Sequence, residues 1–278
     1  MNRNTIIENI RAKKTYLCVG LDTDVNRLPI HLPKTKEGIV SFNKAIIDAT
    51  AAHCISYKIN TAFYEALGSK GWEAMEETVA YIPDTHFTIA DAKRGDIGNT
   101  GQQYAKAFFE TLKFDAVTVA PYMGEDSIRP FLEYHDKWAI VLGLTSNKGA
   151  KDFELQQIES NFTDEKRRAT YLYEQVLETV SKWGSTDNTM FVIGATQATE
   201  FSNIRSIIPD HFLLVPGIGF QGGSLSDVSK YGMNNEVGLL VNVSRAIIFA
   251  SKSENFAEEA KAIAEQYHFE MEKYLDKS

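Results

Sequence analysis

The sequence has few cysteines, no cluster of basic residues and no long apolar run. Cys18 and Cys54 are its only two cysteines, both in apolar stretches and outside any Cys-x-x-Cys or Cys/His ligand spacing, which argues against a disulfide framework or a metal site. No apolar run approaches the ~20 residues that cross a bilayer, and the N-terminal segment lacks the apolar core of a secretion signal. We therefore predict a cytoplasmic protein without a membrane association.

The charge balance excludes another class of protein. The formal net charge is -8 and no run of lysine or arginine is present, whereas nucleic-acid binders need basic surface that displaces counterions from phosphates. No nucleic-acid partner is expected, and any anionic ligand must be captured locally. With 44% hydrophobic and 24% charged residues, the composition is typical of a folded globular protein.

Short apolar runs rich in β-branched residues alternate with stretches of helical period along the chain. This alternation predicts strands that are buried on both faces and joined by crossover helices. The predicted strands are Tyr16–Leu21, Ser56–Ile59, Phe87–Asp91, Ala116–Ala120, Ala139–Leu144, Met190–Gly194, Phe212–Pro216 and Gly238–Val243. We predict a single α/β domain over residues 1–278, a (β/α)8 TIM barrel.

Segments outside these strands complete the predicted organisation. Residues 1–14 are polar and amphipathic and are predicted as a helical N-terminal extension. Ser41 is predicted to begin an amphipathic helix, and the clearest helical pattern runs from Phe256 to Tyr274. The polar stretch of residues 148–168 is longer than a barrel loop needs, so it is either a functional excursion or a small helical insertion.

Polar residues gather after the predicted strands, where barrels of this kind build their active sites. The densest group is the segment of residues 91–97, in which strand alternation places Asp91 and Lys93 on one side. Lys58, on the second strand, could extend them into an alternating array of charges, each favouring the charged form of the other. A surface ion-pair network that caps the barrel accounts for this segment equally well.

A second signal follows the last two predicted strands. The glycines of the segment 215–223, Gly217 and Gly219 among them, let backbone N–H groups approach an anion. Arg245, after the eighth strand, offers a fork-shaped cation suited to phosphate. Because barrels commonly bind phosphate through the loops after strands seven and eight, a phosphate site is favoured over a tight turn with an exposed arginine.

Taken together, these segments resemble the orotidine 5′-phosphate decarboxylases. The segment Asp91-Ala92-Lys93-Arg94-Gly95-Asp96-Ile97 resembles the catalytic Asp-x-Lys-x-x-Asp motif of that family. Other segments that resemble the family occur along the chain in the family's order: Leu21-Asp22, Tyr57-Lys58-Ile59-Asn60, Pro216-Gly217-Ile218-Gly219 and the late arginine, Arg245. The longer segment after strand five and the stretch Gln221-Gly222-Gly223 are more similar to the divergent bacterial branch. The resemblance implies a homodimer that decarboxylates orotidine 5′-phosphate to UMP without a cofactor or a metal.

The resemblance also implies a role for individual residues. It assigns Lys58, Asp91 and Lys93 of one subunit to catalysis together with Asp96 of the neighbouring subunit. The substrate-binding residues that it implies are Asp22 at a ribose hydroxyl, Thr100 across the interface, Ser146 at the pyrimidine, and Gly217, Gly219, Gln221 and Arg245 at the phosphate. Thr145 and Asn147 are as near to the pyrimidine as Ser146, and Gln197 is a weaker candidate than Gln221.

Two other functions fit part of the pattern. A metal-dependent sugar-phosphate decarboxylase or aldolase of the same barrel superfamily also carries an Asp-x-Lys-x-x-Asp pattern, but it would recruit strand-end carboxylates such as Asp22 as ligands. Arg94 and Ile97 fit the nucleotide enzyme better. A non-catalytic binder of nucleotide monophosphates would have kept the barrel and the phosphate site, and the intact set of Lys58, Asp91, Lys93 and Asp96 argues against it.

Overall fold

The computed structural model describes residues 1–158, 171–219 and 222–276, and its centre is a closed barrel of parallel strands. The strands are β1 Leu17–Gly20, β2 Ser56–Asn60, β3 Phe87–Arg94, β4 Ala116–Val119, β5 Trp138–Leu144, β6 Thr189–Ile193, β7 Phe212–Pro216 and β8 Leu239–Val243. They follow one another around the barrel in sequence order, and β1 pairs with β8 to close it. The predicted (β/α)8 TIM barrel is confirmed.

Helices surround the barrel and cover the outer faces of its strands. They are α1 Arg3–Lys13, α2 Lys36–Thr50, α3 Ala62–Glu65, α4 Ser69–Tyr81, α5 Gly98–Lys106, α6 Glu125–Leu132, α7 Leu172–Val180, α8 Phe201–Ile207, α9 Leu225–Gly232, α10 Arg245–Ile248 and α11 Phe256–Leu275. Every residue of β1, β4, β6 and β8 is buried, because such strands face helices on one side and the barrel interior on the other. Within the described ranges, no helix has the combination of length and hydropathy that a transmembrane span needs.

The start of α2 differs from the prediction. The helix begins at Lys36 after the N-cap residue Thr35, so the expectation that Ser41 begins it is wrong. Gly38 lies in its first turn because a Cβ at that position would come within 1.8 Å of the Pro33 carbonyl oxygen. Glycine usually signals a break in a helix. Gly38 therefore makes the start of this helix hard to recognise in the sequence. The predicted terminal helix is confirmed as α11.

Helix α1 and the residues before it contact the chain near the amino-terminal ends of several strands. The Arg3 guanidinium donates to the carbonyl oxygens of Thr186 and Asp210 at 2.7 Å each and pairs with Glu236. The Trp138 indole, at the start of β5, donates to the Met1 carbonyl at 2.8 Å. These contacts lie at the end of the barrel opposite to the strand ends that carry the predicted chemistry.

The polar segment predicted as an insertion is described only in part. Residues Lys148–Asp152 form a 3-10 helix, and Gln157 makes an isolated antiparallel bridge with Tyr171, just before α7. Residues 159–168 lie outside the described residues. The choice between a functional excursion and a helical insertion therefore stays a prediction.

Candidate active site

The carboxyl end of β3 departs from regular strand geometry at the residues that carry charge. Its register with β4 shifts between Ala90 and Arg94, and Lys93 has a φ of 49°, a left-handed conformation that costs a non-glycine residue about 1–3 kcal/mol. Simple alternation along the strand is therefore interrupted at Lys93. The predicted pairing nevertheless forms, since Lys93 Nζ lies 2.6 Å from Asp91 Oδ1.

Lys58, on β2, joins this pair to a second carboxylate. Its Nζ lies 2.9 Å from Asp91 Oδ2 and 3.4 Å from Asp22 Oδ1, and the residue is only 3% exposed. Burial alone would lower the pKa of Lys58, but the carboxylates of Asp22 and Asp91 outweigh it and raise that pKa above its ordinary value. The array therefore keeps Lys58 charged at neutral pH.

Asp91 is the centre of the array. Burial would raise its pKa, but the ammonium groups of Lys58 and Lys93 outweigh burial and hold the pKa of this carboxyl well below its usual range. The Thr118 hydroxyl, on β4, donates a further hydrogen bond to Asp91 Oδ1 at 3.1 Å. Asp91 is thus an ionised carboxylate whose two oxygens are both held by donors.

Two cavities open beside Lys58 and Asp91. One, of 150 Å³, is lined by polar side chains and by the start of the glycine-rich loop: Asp22, Asn60, Gly217, Asn242, Ser244 and Arg245. The other, of 220 Å³, has apolar walls from β5, β6 and β7 and polar groups on one side: Leu142, Val192, Leu214, Lys93, Thr145, Ser146 and Asn147. Lys58, Asp91 and Pro216 line both. This pairing of a polar cavity with a cavity that has apolar walls suits a phosphorylated nucleoside.

Larger cavities lie at the opposite end of the barrel. They measure 520 Å³ and 400 Å³ and are lined by residues near the amino-terminal ends of the strands, such as His135 and Lys113. Size alone would select them as the site. We place the chemistry at the smaller pair because barrel enzymes build their active sites at the carboxyl ends of the strands.

The glycine-rich loop after β7 is partly described. Gly217 and Gly219 have φ values of 102° and 76°, so both need a residue without a side chain. The Gly219 N–H donates within the loop to the Gly223 carbonyl at 3.4 Å, and of these two glycines Gly217 is the one that lines a cavity. Gln221, the predicted phosphate ligand, lies outside the described residues.

The turn after β5 is held by contacts that the sequence did not reveal. The Glu154 carboxylate accepts from the Thr145 N–H at 2.7 Å and from its hydroxyl at 2.8 Å. Gln197 Nε2 donates to the Thr145 carbonyl at 3.3 Å. Gln197 thus braces this turn and lines neither cavity, while Ser146, Thr145 and Asn147 all line the apolar one.

Like Gly219, the predicted site residues Asp96 and Thr100 line neither cavity in the single chain. The Asp96 carboxylate accepts from the Ile97 N–H at 2.8 Å, and Thr100 is exposed near the start of α5. Among residues 1–158, 171–219 and 222–276, no ion pair joins Asp96 to Lys93. No group of three or more His, Cys, Asp or Glu side chains in these ranges could hold a metal.

Sequence reasoning missed Thr118 and Asn242 as well as Glu154. Thr118 belongs to the apolar run of β4, where a β-branched residue looks like any other strand residue. Asn242 interrupts the apolar β8 sequence Leu-Leu-Val-Asn-Val and donates to the Cys18 carbonyl at 3.2 Å. A polar residue inside a fully buried strand was the one available signal, because buried polar groups need a partner.

Comparisons with known proteins agree on one family. A family model described as "Orotidine 5'-phosphate decarboxylase / HUMPS family" matches residues 15–263. The chain is 56% identical over 278 residues to the orotidine 5′-phosphate decarboxylase of Phocaeicola vulgatus, with 99% of each chain covered, and 55% identical over 279 residues to that of Flavobacterium johnsoniae, again with 99% of each covered. Among solved structures, Leishmania donovani OMP decarboxylase is similar with a TM-score of 0.79 at 35% identity, covering 97% of this chain and 99% of that one.

Proposed function

Because this chain belongs to the orotidine 5′-phosphate decarboxylase / HUMPS family, we propose that its charged array carries out the reaction of that enzyme. The chain converts orotidine 5′-phosphate to UMP and CO₂, the last step of de novo pyrimidine nucleotide biosynthesis, and is a carbon–carbon lyase. The observation that carries the residue assignment is the Lys58–Asp91–Lys93 array, which lies between a polar and an apolar cavity.

The two cavities suggest how the substrate lies. We place the pyrimidine in the apolar cavity against Ser146, with the ring carbon C6 towards Lys93. The ribose lies across Lys58 and Asp91, where Asp22 accepts from a hydroxyl. The phosphate lies at the polar end, bound by the Arg245 guanidinium and by the loop that holds Gly217, Gly219 and Gln221.

Lys93 carries the chemical step. When the bond between C6 and the carboxylate breaks, its electron pair stays on C6, and no ring carbonyl can readily delocalise it. The Lys93 ammonium stabilises this carbanion and then donates a proton to C6, which leaves neutral lysine and UMP. This role requires an ammonium fixed before reaction, and the 2.6 Å contact with Asp91 supplies that restraint.

Repulsion of the substrate carboxylate by Asp91 is a smaller contribution. At ~4 Å and an effective dielectric of about 20, two like charges repel by only ~4 kcal/mol. The largest enzymatic accelerations require upwards of ~20 kcal/mol. Stabilisation of the carbanion and binding energy from the remote phosphate must therefore provide most of the acceleration.

We further propose a homodimer in which Asp96 of one subunit completes the array of the other. Large apolar side chains are exposed on the segments that follow β3 and β4, among them Ile97 at 50%, Tyr122 at 89% and Met123 at 51%. Exposed apolar groups of this kind mark interfaces, and a two-fold interface here would place Asp96 and Thr100 beside a neighbouring barrel mouth.

Mixing two inactive variants tests the shared site. Homodimers of Lys93→Ala and of Asp96→Asn are each expected to be inactive. In an exchanged one-to-one mixture, the heterodimers hold one intact site, so about a quarter of wild-type activity returns for a two-fold dimer. A mixture that stays inactive although size measurements show subunit exchange would contradict sharing of Asp96.

A direct assay tests the function and its competitors together. Loss of orotidine 5′-phosphate absorbance is followed with purified, EDTA-treated protein. Turnover that survives EDTA is the expected result, whereas activity that needs an added divalent metal would favour the sugar-phosphate enzyme. UMP binding without turnover would favour a non-catalytic binder. Relatives at 50–56% identity that are all named orotidine 5′-phosphate decarboxylase do not favour either alternative.

The location that we propose is the cytoplasm. Cys18 and Cys54 are both buried and free, and reducing compartments keep such thiols unpaired.

A further inference from the structure

Thr118 lies in the middle of β4 and is 1% exposed. Its hydroxyl contacts both residues of the Lys93–Asp91 pair, although it lies on a different strand. The hydroxyl oxygen accepts from the Lys93 N–H at 2.9 Å, and the hydroxyl proton is donated to Asp91 Oδ1 at 3.1 Å. One hydroxyl can do both because it offers one donor and two acceptor lone pairs.

The bond to the Lys93 N–H falls where the backbone ladder is interrupted. The register between β3 and β4 shifts between Ala90 and Arg94, and the left-handed Lys93 lies inside that interval. A buried or half-buried N–H that loses its ladder partner needs another acceptor. The Thr118 hydroxyl fills that position and holds Lys93 in a conformation that the surrounding structure must impose.

The bond to Asp91 completes the restraint on the carboxylate. Oδ1 receives Lys93 Nζ at 2.6 Å and the Thr118 hydroxyl, while Oδ2 receives Lys58 Nζ at 2.9 Å. With donors from three strands, rotation of the Asp91 carboxylate would break at least one of these bonds. Lys93 is therefore restrained at two points: its backbone N–H is bonded to Thr118, and its ammonium is bonded to Asp91.

We propose that Thr118 is a positioning residue, whose hydroxyl sets the conformation of Lys93 and the orientation of Asp91 for proton delivery. This inference rests on the proposed function of Lys93. Thr118 itself touches no reacting atom. Its contribution is preorganisation, which lowers the barrier of the chemical step and has little effect on ground-state binding of the substrate.

Replacements that separate the hydroxyl from the packing of the side chain test the proposal. Thr118→Val keeps the shape and removes the hydroxyl, while Thr118→Ser keeps the hydroxyl. The matched control is Thr189→Val on β6: Thr189 is fully buried, and its hydroxyl contacts the adjacent Asn188 at 3.2 Å, far from the array. Thr118→Ala takes the place of the valine variant if that protein does not fold.

The expected result is a split between kcat and binding. Thr118→Val lowers kcat by about 10- to 100-fold, the size of a lost hydrogen bond to a charged group, with KM and the Kd for UMP changed by less than about threefold. Thr118→Ser recovers most of the lost kcat, and Thr189→Val keeps the wild-type value. A structural role alone would instead make activity follow the melting temperature in all three variants.

Unchanged kcat in Thr118→Val, or equal losses in Thr118→Val and Thr118→Ser, would overturn the proposal. Lys93→Ala, measured beside them, separates the proposed role of Thr118 from the proposed function of the array. Normal turnover by Lys93→Ala would contradict the proposed function of the array. An inactive Lys93→Ala together with a fully active Thr118→Val would contradict only the proposed role of Thr118.

Discussion

Lys93 Nζ lies 2.6 Å from Asp91 Oδ1, although the Lys93 side chain is 50% exposed and that of Asp91 only 13%. The pair therefore joins an accessible ammonium to a carboxylate anchored below it. Because Lys58 holds the other oxygen of Asp91 at 2.9 Å, the ammonium is restrained before a substrate arrives and still faces the cavity that would receive it.

Lys93→Ala is expected to abolish turnover while folding and UMP binding stay largely intact. Removal of both the charge and the proton donor should reduce kcat by more than about 10⁴-fold. Steady-state decarboxylation and UMP titration measure the two effects. Lys113→Ala is the control, since Lys113 is exposed and has a comparable φ of 62°. Near-normal decarboxylation by Lys93→Ala would refute the assigned role.

Arg245→Ala is expected to weaken activation by the phosphate. Loss of a charge-assisted contact to a non-reacting group should lower kcat/KM for orotidine 5′-phosphate by about 10²-fold or more. Activity on orotidine, which lacks the phosphate, should change little. The control is Arg129→Ala, a half-exposed arginine paired with Glu125 on α6. Equal losses on both substrates would contradict a phosphate contact.

Glu154→Ala is expected to impair binding more than chemistry. The carboxylate holds the Thr145 N–H and hydroxyl, so its removal loosens the turn that presents Ser146 to the pyrimidine cavity. KM and the Kd for UMP should rise by about tenfold, the size of a lost charge-assisted hydrogen bond. Glu178→Ala, on the outer helix α7, is the control. A loss confined to kcat would be inconsistent with this support of the turn.

The contribution of the array to folding stability depends on pH, and the shifted pKa values of Asp91 and Lys58 set the direction of this dependence. The pKa of Asp91 is lowered in the folded protein, so its carboxylate contributes stability above the unfolded value of about 3.9, and the contribution is lost as the pH falls towards the folded pKa. The pKa of Lys58 is raised, so its contribution is present below about 10.4 and is lost as the pH rises through the folded pKa.

Asp91→Asn tests the expected loss of folding stability at acidic pH. The substitution removes a partner of the buried Lys58, so the free energy of unfolding should fall by about 3 kcal/mol near pH 7. Urea denaturation at a series of pH values measures this difference against the wild type. It should shrink as the pH drops below about 4, because the wild type then loses the same interaction. A difference that stays constant down to strongly acidic pH would contradict the lowered pKa.

Much of the barrel could be predicted because its pattern is local. A buried parallel strand needs a short apolar, β-branched run, and each crossover needs a helical period, so the alternation along the chain indicates the fold. The predicted strands were confirmed, and the pairing of Asp91 with Lys93 and Lys58 was found as expected. The start of α2 was predicted wrongly because the reason for Gly38 is a contact with Pro33.

By itself, the sequence determined the barrel, the strands that carry the charged residues and the family to which the chain belongs, because these depend on residue types at fixed spacings along one chain. Only the tertiary structure decided that Thr118 bridges Lys93 and Asp91 and that Glu154 holds the turn at Thr145. The pairing of β3 with β4 shifts its register in the interval that holds the left-handed Lys93, and this pairing brings Thr118 to Asp91. A hydroxyl on a neighbouring strand acquires its partner only through that pairing, so no spacing within the chain could have shown it.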